Sequence, residues 1–233
     1  MIEFPSNNSH VVPVKVKSYP TSQSGRVMQD VFREVHGRTA LGYETVDSYL
    51  RGRQTGDDYV RVSPISEDLK VSYGYFWCVG VAGFGNHDGR RESFLSHGQD
   101  DVNRQVLYVS DAVKRLLDSC GDTCDFVIFG GQNNIPGASR LDGTLRSSLE
   151  IQKSLANMIV GETHGSVIPI LIGPDDLDTC ATDLIGKNVI VETPTRTLHV
   201  FERLILKPDD EPRYRTPEQR ANRYQDGRSS TAL

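Results

Sequence analysis

The chain has 233 residues, 37% of them hydrophobic and 24% charged, with a formal net charge of −5. Such usage is globular and long enough for one sizeable core, or a core with a small appended module, and the acidic balance leaves no electrostatic footprint for nucleic acid. Four cysteines are too few for a disulfide scaffold, no apolar run reaches the roughly 18 residues of a membrane-spanning helix, and the first residues lack the charged-then-apolar order of a secretory signal. The expectation is a cytoplasmic chain with no membrane span and no nucleic-acid partner.

In chain order, residues 11–17 predict an edge strand, because Pro13 has no N–H to give to a ladder. Residues 26–35 predict a helix: Val27, Met28, Val31, Phe32 and Val35 share one face, and Gly37 stands at the stop. A weaker helix over 45–51, a polar loop over 52–58 and a short strand over 59–62 follow. Together these make an N-terminal extension, residues 1–68, expected to pack on the main domain and to serve partner recognition.

From Leu69 the pattern turns to β. Residues 71–84 predict one strand that bends at Gly74 or Gly80, residues 85–89 supply types that accept positive φ, and 90–97 return as the hairpin partner. His87, in the turn, reads as solvent-facing. Asp101 caps a predicted helix running to about residue 118, striped by Val102, Val106, Leu107, Val113, Leu116 and Leu117. Strand 126–129 then enters a loop, 130–139, whose glycines and asparagines suit either close approach to a ligand or a plain strand-to-helix connection. It is neither a Walker loop nor a dinucleotide fingerprint. A helix over 145–159, a strand over 166–172, a short helix opened by Pro174, and strands over 188–192 and 197–206 complete the main domain, 69–206. The polar tail, 207–233, reads as disordered alone, and as an arm for a partner or for a homo-oligomer. The alternation predicts an α/β fold, with a mixed β-sheet or two packed sheets flanked by helices; a doubly wound parallel sheet is the alternative.

The hairpin matters because Cys78 lies in its first strand and His97 ends its second. An imidazole beside a thiol makes thiolate available near neutral pH, so the two are candidates for nucleophile and base. Packing in the core is the competing reading of Cys78. Cys120 and Cys124 flank a turn with three residues between them, and read as two packed thiols, a vicinal redox pair, or two ligands of a zinc that lacks a second pair at finger spacing. Cys180 reads as packing on a short helix over 177–184. No metal and no cofactor is expected.

The order of these features resembles a known family. Cys78-Val-Gly-Val, a hairpin-length gap, an apolar strand ending in His97, a helix with Asp111-Ala-Val-x-x-Leu, and an apolar strand ending in Gly130-Gly131 are together similar to the bacterial chemoreceptor glutamine deamidases (CheD), over about residues 70–200. Carried over by position, the resemblance implies Cys78 as nucleophile and His97 as general acid and base. Ser72, six positions before the cysteine where the family has threonine, is implied to orient the imidazole. Gly130 and Gly131 match the family's Gly-Gly, and with Gln132 and Trp77 they form the implied substrate-binding set. The chain departs from the family at Phe76-Trp77, where Gly-Ser is usual, at Gln132, where a small residue is usual, and in its N-terminal extension. What the resemblance implies is a deamidase-like fold and a cysteine-dependent protein-glutamine deamidase or related amidohydrolase acting on a protein substrate. The alternative is a non-catalytic assembly or interaction protein, viral or structural, that keeps the fold.

Overall fold

A strand buries both of its faces only when another layer covers each side, as along residues 79–85, 126–130 and 187–192. The computed structural model of the chain describes residues 2–4, 13–19, 30, 43–45, 50–55, 58–75, 78–87, 89–98, 102–133, 148–173, 175–176 and 184–205. In order these form β1 (Ile2–Phe4), β2 (Val14–Tyr19), β3 (Tyr43–Thr45), β4 (Leu50–Thr55), β5 (Asp58–Val62), β6 (Leu69–Tyr75), β7 (Val79–His87), β8 (Arg90–Gly98), α1 (Val102–Cys120), β9 (Asp125–Gly130), β10 (Gln132–Asn133), α2 (Ser148–Glu162), β11 (Ile170–Ile172), β12 (Asp175–Asp176), β13 (Leu184–Glu192) and β14 (Thr197–Ile205).

Among the described residues there are two six-stranded sheets. The first has the order β1-β2-β14-β13-β6-β3 and the second β11-β9-β7-β8-β5-β4, while β10 pairs with β12. Each mixes directions: β14 with β2 and β11 with β9 run parallel, β13 with β14 and β7 with β8 antiparallel. The chain is therefore α/β with two packed sheets and helices alongside, and not a doubly wound parallel sheet.

The layers follow from the period of two. Val79 and Val81 of β7 share a cluster with Val109, Val113 and Leu116 of α1 and with Ile151, Leu155 and Ile159 of α2, so the helices cover the outer face of the second sheet. Cys78, Ala82 and Phe84, of opposite parity, meet Val14, Val16, Val189, Val191, Leu198 and Val200 of the first sheet. Each aliphatic side chain buried in that shared core contributes roughly 1.5–3 kcal/mol. A third cluster of Leu69, Val71, Ile190 and Phe201, with Tyr19 against it, lies on the far face of the first sheet.

Several expectations change. The predicted strand over 71–84 is two strands in different sheets, β6 and β7, because the chain crosses from one sheet to the other between them. The predicted helix over 45–51 and loop over 52–58 give way to strands at Thr45 and from Leu50, with β4 and β5 closing a hairpin at Thr55 and Asp58. Polar residues are tolerated there because β4 is an edge strand of its sheet. Strand β2 begins after Pro13, as the missing donor requires, yet β1 pairs along its outer side, so it is not the edge. The short helix expected from Pro174 gives way to strand at Asp175–Asp176, Pro174 itself lying outside the described residues. Strands β1 to β5, from residues before Leu69, enter both sheets, β2 beside β14 and β5 beside β8. The hairpin forms, but its turn is tighter than the expected 85–89: β7 runs on through His87, which pairs with Arg90 and is not a turn residue, and Gly89 takes φ 82. The helix over 26–35, apart from Asp30, which is helical, the cap at Asp101, residues 177–183 with Cys180, and the tail lie outside the described residues.

Polar ties join the sheets at the end where β13 turns into β14. Arg196, at φ 53 and 1% exposed, reaches across to the Asp125 carboxylate at the start of β9, and Ser93 Oγ lies 2.7 Å from Thr193 Oγ1. Burial lowers the Arg196 pKa and raises that of Asp125, each partly offset by the other's charge. On the first sheet, the ring of His199 sits between Glu192 Oε2 at 3.2 Å from Nε2 and the Tyr19 hydroxyl at 3.1 Å from Nδ1. Burial pushes the Glu192 carboxyl up, but hydrogen bonds from His199 and Thr195 and the charges of His199 and Lys17 outweigh it and hold its pKa low.

Two outcomes are expected. Replacing Asp125 by Ala leaves the Arg196 charge buried and should lower urea-measured stability by about 3–5 kcal/mol; a loss below about 1 kcal/mol would show that water solvates the pair. Because the folded pKa of Glu192 is depressed, its contribution is present above the ordinary value of 4.5 and is lost as pH falls through the folded pKa. Glu192→Gln should therefore cost about 1–2 kcal/mol at pH 7 and flatten the loss of stability below pH 4.5, read by urea melts across an acid series; an unchanged acid limb would remove Glu192 from that role.

Candidate functional site

The site is set by the place where the chain changes sheets. Tyr75 ends β6 in the first sheet and Val79 begins β7 in the second. Four residue steps extend at most about 14 Å, and packed sheets lie about 10 Å apart, so the connection has to run directly across. Ser72, Tyr75 and Cys78 are held at one corner as a result. Pairing of Val79 with Gly98 and of Ala82 with Leu95 sets Gly80 opposite His97. Cys78 and Leu95 both belong to the inter-sheet core, and His97, two residues beyond Leu95, shares that face.

Across the corner, Ser72 Oγ of the first sheet lies 2.9 Å from Nδ1 of His97 in the second. Ser72 is 0% exposed, His97 1% and Cys78 5%. The Tyr75 ring stacks on the imidazole with centroids 4.0 Å apart and planes 19° apart. Its hydroxyl donates to the Ser96 carbonyl at 2.7 Å, and its ring meets Phe129 edge-on at 5.0 Å. The imidazole is thus fixed in its plane by Ser72 and across its face by Tyr75. Space for this comes from Gly80, where a Cβ would fall 2.6 Å from both the Tyr75 and Phe129 rings.

Gly130 closes the other side. It pairs with Val79 at φ 89, and a Cβ there would stand 2.7 Å from the Cys78 carbonyl oxygen. Its own carbonyl accepts a 2.9 Å hydrogen bond from Gln152 Nε2 of α2, and the same amide reaches the Ile172 carbonyl at 3.3 Å. Gly131 packs against the start of α2, 2.4 Å from the Ser148 Cβ if it carried a Cβ of its own.

Of the residues singled out in the sequence, Ser72 and His97 are in contact, Cys78 shares their corner and face, and Gly130 abuts the cysteine's carbonyl. Gly131 faces α2 instead. The backbone of Gln132 pairs with Asp175 in the β10–β12 ladder, and Trp77 lies outside the described residues. Tyr75 and Gln152 were not anticipated. A tyrosine in an apolar strand carries no local mark of a role. Gln152 did carry one, since it stands three and seven residues before Leu155 and Ile159 on the buried stripe of α2, a polar residue in an apolar position. Among the described residues no group of three or more His, Cys, Asp or Glu side chains is placed to hold a metal ion. What the corner offers is a thiol and an oriented imidazole, the parts of nucleophilic and acid–base chemistry.

No family model matches the sequence, and no curated protein matches it. Among solved structures the chain is similar to the hypothetical protein YfiH of Bacillus licheniformis, with a TM-score of 0.37 and 11% identity over 75% of this chain and 78% of that one, a likeness too loose to transfer a site.

Gly80→Ala should overpack the corner and lower stability by about 1–3 kcal/mol, with a changed near-ultraviolet tyrosine signal and shifted His97 imidazole resonances. A variant as stable as wild type with unmoved resonances would show that the rings do not depend on Gly80.

Proposed function

We propose that the chain is a cysteine-dependent protein-glutamine deamidase or related amidohydrolase of the CheD type, with Cys78 as nucleophile, His97 as general acid and base, and Ser72 orienting the imidazole. The observation that supports this reading is the 2.9 Å bond between Ser72 Oγ and His97 Nδ1. With Nδ1–H donating to the hydroxyl, Nε2 keeps its lone pair for the thiol proton, the tautomer that a general base needs. In this reading the thiolate attacks the carbon of a glutamine side-chain carboxamide, and the S–C bond forms as the carbonyl oxygen takes the charge. Backbone amides at or next to Cys78 stabilise that oxyanion, a contribution of about 3 kcal/mol. The His97 imidazolium then protonates departing ammonia, and the neutral ring deprotonates the water that hydrolyses the thioester to glutamate. Of the implied substrate-binding set, Gly130 borders the backbone of the nucleophile; the substrate is a cytoplasmic protein, and the chemistry requires no cofactor.

Burial favours a second reading. At 5%, 1% and 0% exposure, Cys78, His97 and Ser72 also suit a non-catalytic assembly or interaction protein in which the pair is part of the core. In the enzyme, substrate reaches the thiol only when the covering groups yield.

The two readings part on the reactivity of Cys78. Iodoacetamide labelling followed by peptide mass spectrometry across pH should show alkylation well below the ordinary thiol pKa of about 8.5, lost in a folded His97→Ala variant and weakened in Ser72→Ala. Labelling that requires unfolding would sink the catalytic reading and leave the interaction protein.

A further inference from the structure

The far end of β7 holds a second thiol site that the proposed chemistry does not use. Helix α1 ends at Cys120, the 3₁₀ turn Gly121–Thr123 reverses the chain, and Cys124 precedes β9. The turn is tightened by Gly121 at φ 59 and by Thr123 Oγ1, which donates to the Cys120 carbonyl at 2.7 Å and to the Asn86 carbonyl at 2.8 Å. This turns the chain back between the two cysteines, and both lie in the one core cluster beneath α1. Cys120 is pinned against β7, where a Cβ on Gly85 would lie 2.5 Å from its sulfur. Cys124 Sγ lies 3.6 Å from the Leu116 carbonyl, and Cys120 Sγ lies 3.7 Å from Glu92 Oε2, the oxygen that also accepts from Ser119 Oγ at 2.7 Å. Both thiols are free.

We propose that Cys120 and Cys124 form a dithiol oxidation site, in which Cys120 reacts with hydrogen peroxide and Cys124 resolves the product to an intramolecular disulfide. The two sulfurs have distinct roles because their surroundings differ. The hydrogen bond from Cys124 favours the Cys120 thiolate, against burial and the neighbouring Glu92 charge, and its pKa is lowered; the same bond and deeper burial raise that of Cys124. Thiolate is the reactive form, and Cys120 is also the less buried, at 7% against 2%. In the first step the Cys120 thiolate attacks one peroxide oxygen, the S–O bond forms, the O–O bond breaks, and hydroxide leaves. The sulfur is oxidised by two electrons to a sulfenic acid. In the second, the Cys124 sulfur attacks the sulfenic sulfur, the S–S bond forms, and the S–O bond breaks. The departing oxygen takes the Cys124 proton and leaves as water. Two thiols and one peroxide thus give one disulfide and two waters. A reactive thiol with a resolving thiol held across a three-residue turn is the arrangement of a redox-responsive pair.

The test uses the folded full-length chain, exposed to hydrogen peroxide, blocked with N-ethylmaleimide in denaturant, and digested with trypsin without reductant. Residues 116–140 contain no Lys or Arg before Arg140, so both cysteines fall on one tryptic peptide. That peptide should lose two hydrogens and escape N-ethylmaleimide. In Cys124→Ser, the Cys120 sulfenic acid should persist and be captured by dimedone, and in Cys120→Ser, Cys124 should stay reduced. A wild-type peptide that still takes up two maleimides, or a bridge from either cysteine to Cys78 or Cys180, would overturn the proposal. So would oxidation of Cys124 at the wild-type rate in Cys120→Ser. The wild-type peptide decides whether the bridge forms even if a variant does not fold.

Discussion

The direct crossing of the chain from one sheet to the other between Tyr75 and Val79 is the constraint from which the rest of the site follows. Chain length forbids a detour, so the last residues of β6 and the first of β7 share a corner whatever else the sequence does. The crossing delivers Ser72 and Tyr75 from the first sheet to an imidazole in the second, and it places Cys78 on the face that looks at both. The β7–β8 register then puts a residue without a side chain, Gly80, opposite His97. The Tyr75 and Phe129 rings occupy the space thus left open.

Polar groups within a sheet-on-sheet core carry a penalty unless they satisfy one another. A buried hydroxyl or imidazole without a partner costs about 1–3 kcal/mol, and Ser72 and His97 avoid part of that cost only when the two sheets are correctly seated. The Arg196–Asp125 and Ser93–Thr193 contacts do the same elsewhere between the sheets. Apolar contact supplies most of the attraction between the sheets, and the polar contacts select one seating among the many that apolar surfaces allow. At the Ser72–His97 corner the group so selected is an oriented imidazole, on the core face that Cys78 also occupies. The Cys120–Cys124 pair has a different origin. Its proximity is local, made by a three-residue turn, and the hairpin holds it through Gly85, Asn86 and Glu92.

Local signals were legible wherever a strong period or a specific turn residue acted alone. The turn-forming residues 85–89 marked the hairpin, the stripe from Val102 to Leu117 marked α1, and the runs over 188–192 and 197–206 marked β13 and β14. They failed where neighbours decide. Residues 50–55 are too polar to announce a strand, yet β5 offers them a ladder of hydrogen bonds. Tyr75 and Gly80 belong to one uninterrupted apolar run, in which nothing local shows that the chain leaves one sheet for another. Of the candidate site, the residue types and their hairpin relation were readable, whereas the partners Tyr75 and Gln152 were not.

By itself, then, the sequence determined what short-range physics controls: the α/β class, the hairpin whose second strand carries His97, and two cysteines flanking a turn. Only the tertiary structure decided that Ser72 meets His97 from the opposite sheet, that Tyr75 covers the ring, and that Gly130 stands against the cysteine's carbonyl. Those contacts join residues 22 to 52 positions apart or lie across a change of sheet. Their energies come from packing between layers, and no window of sequence contains both partners.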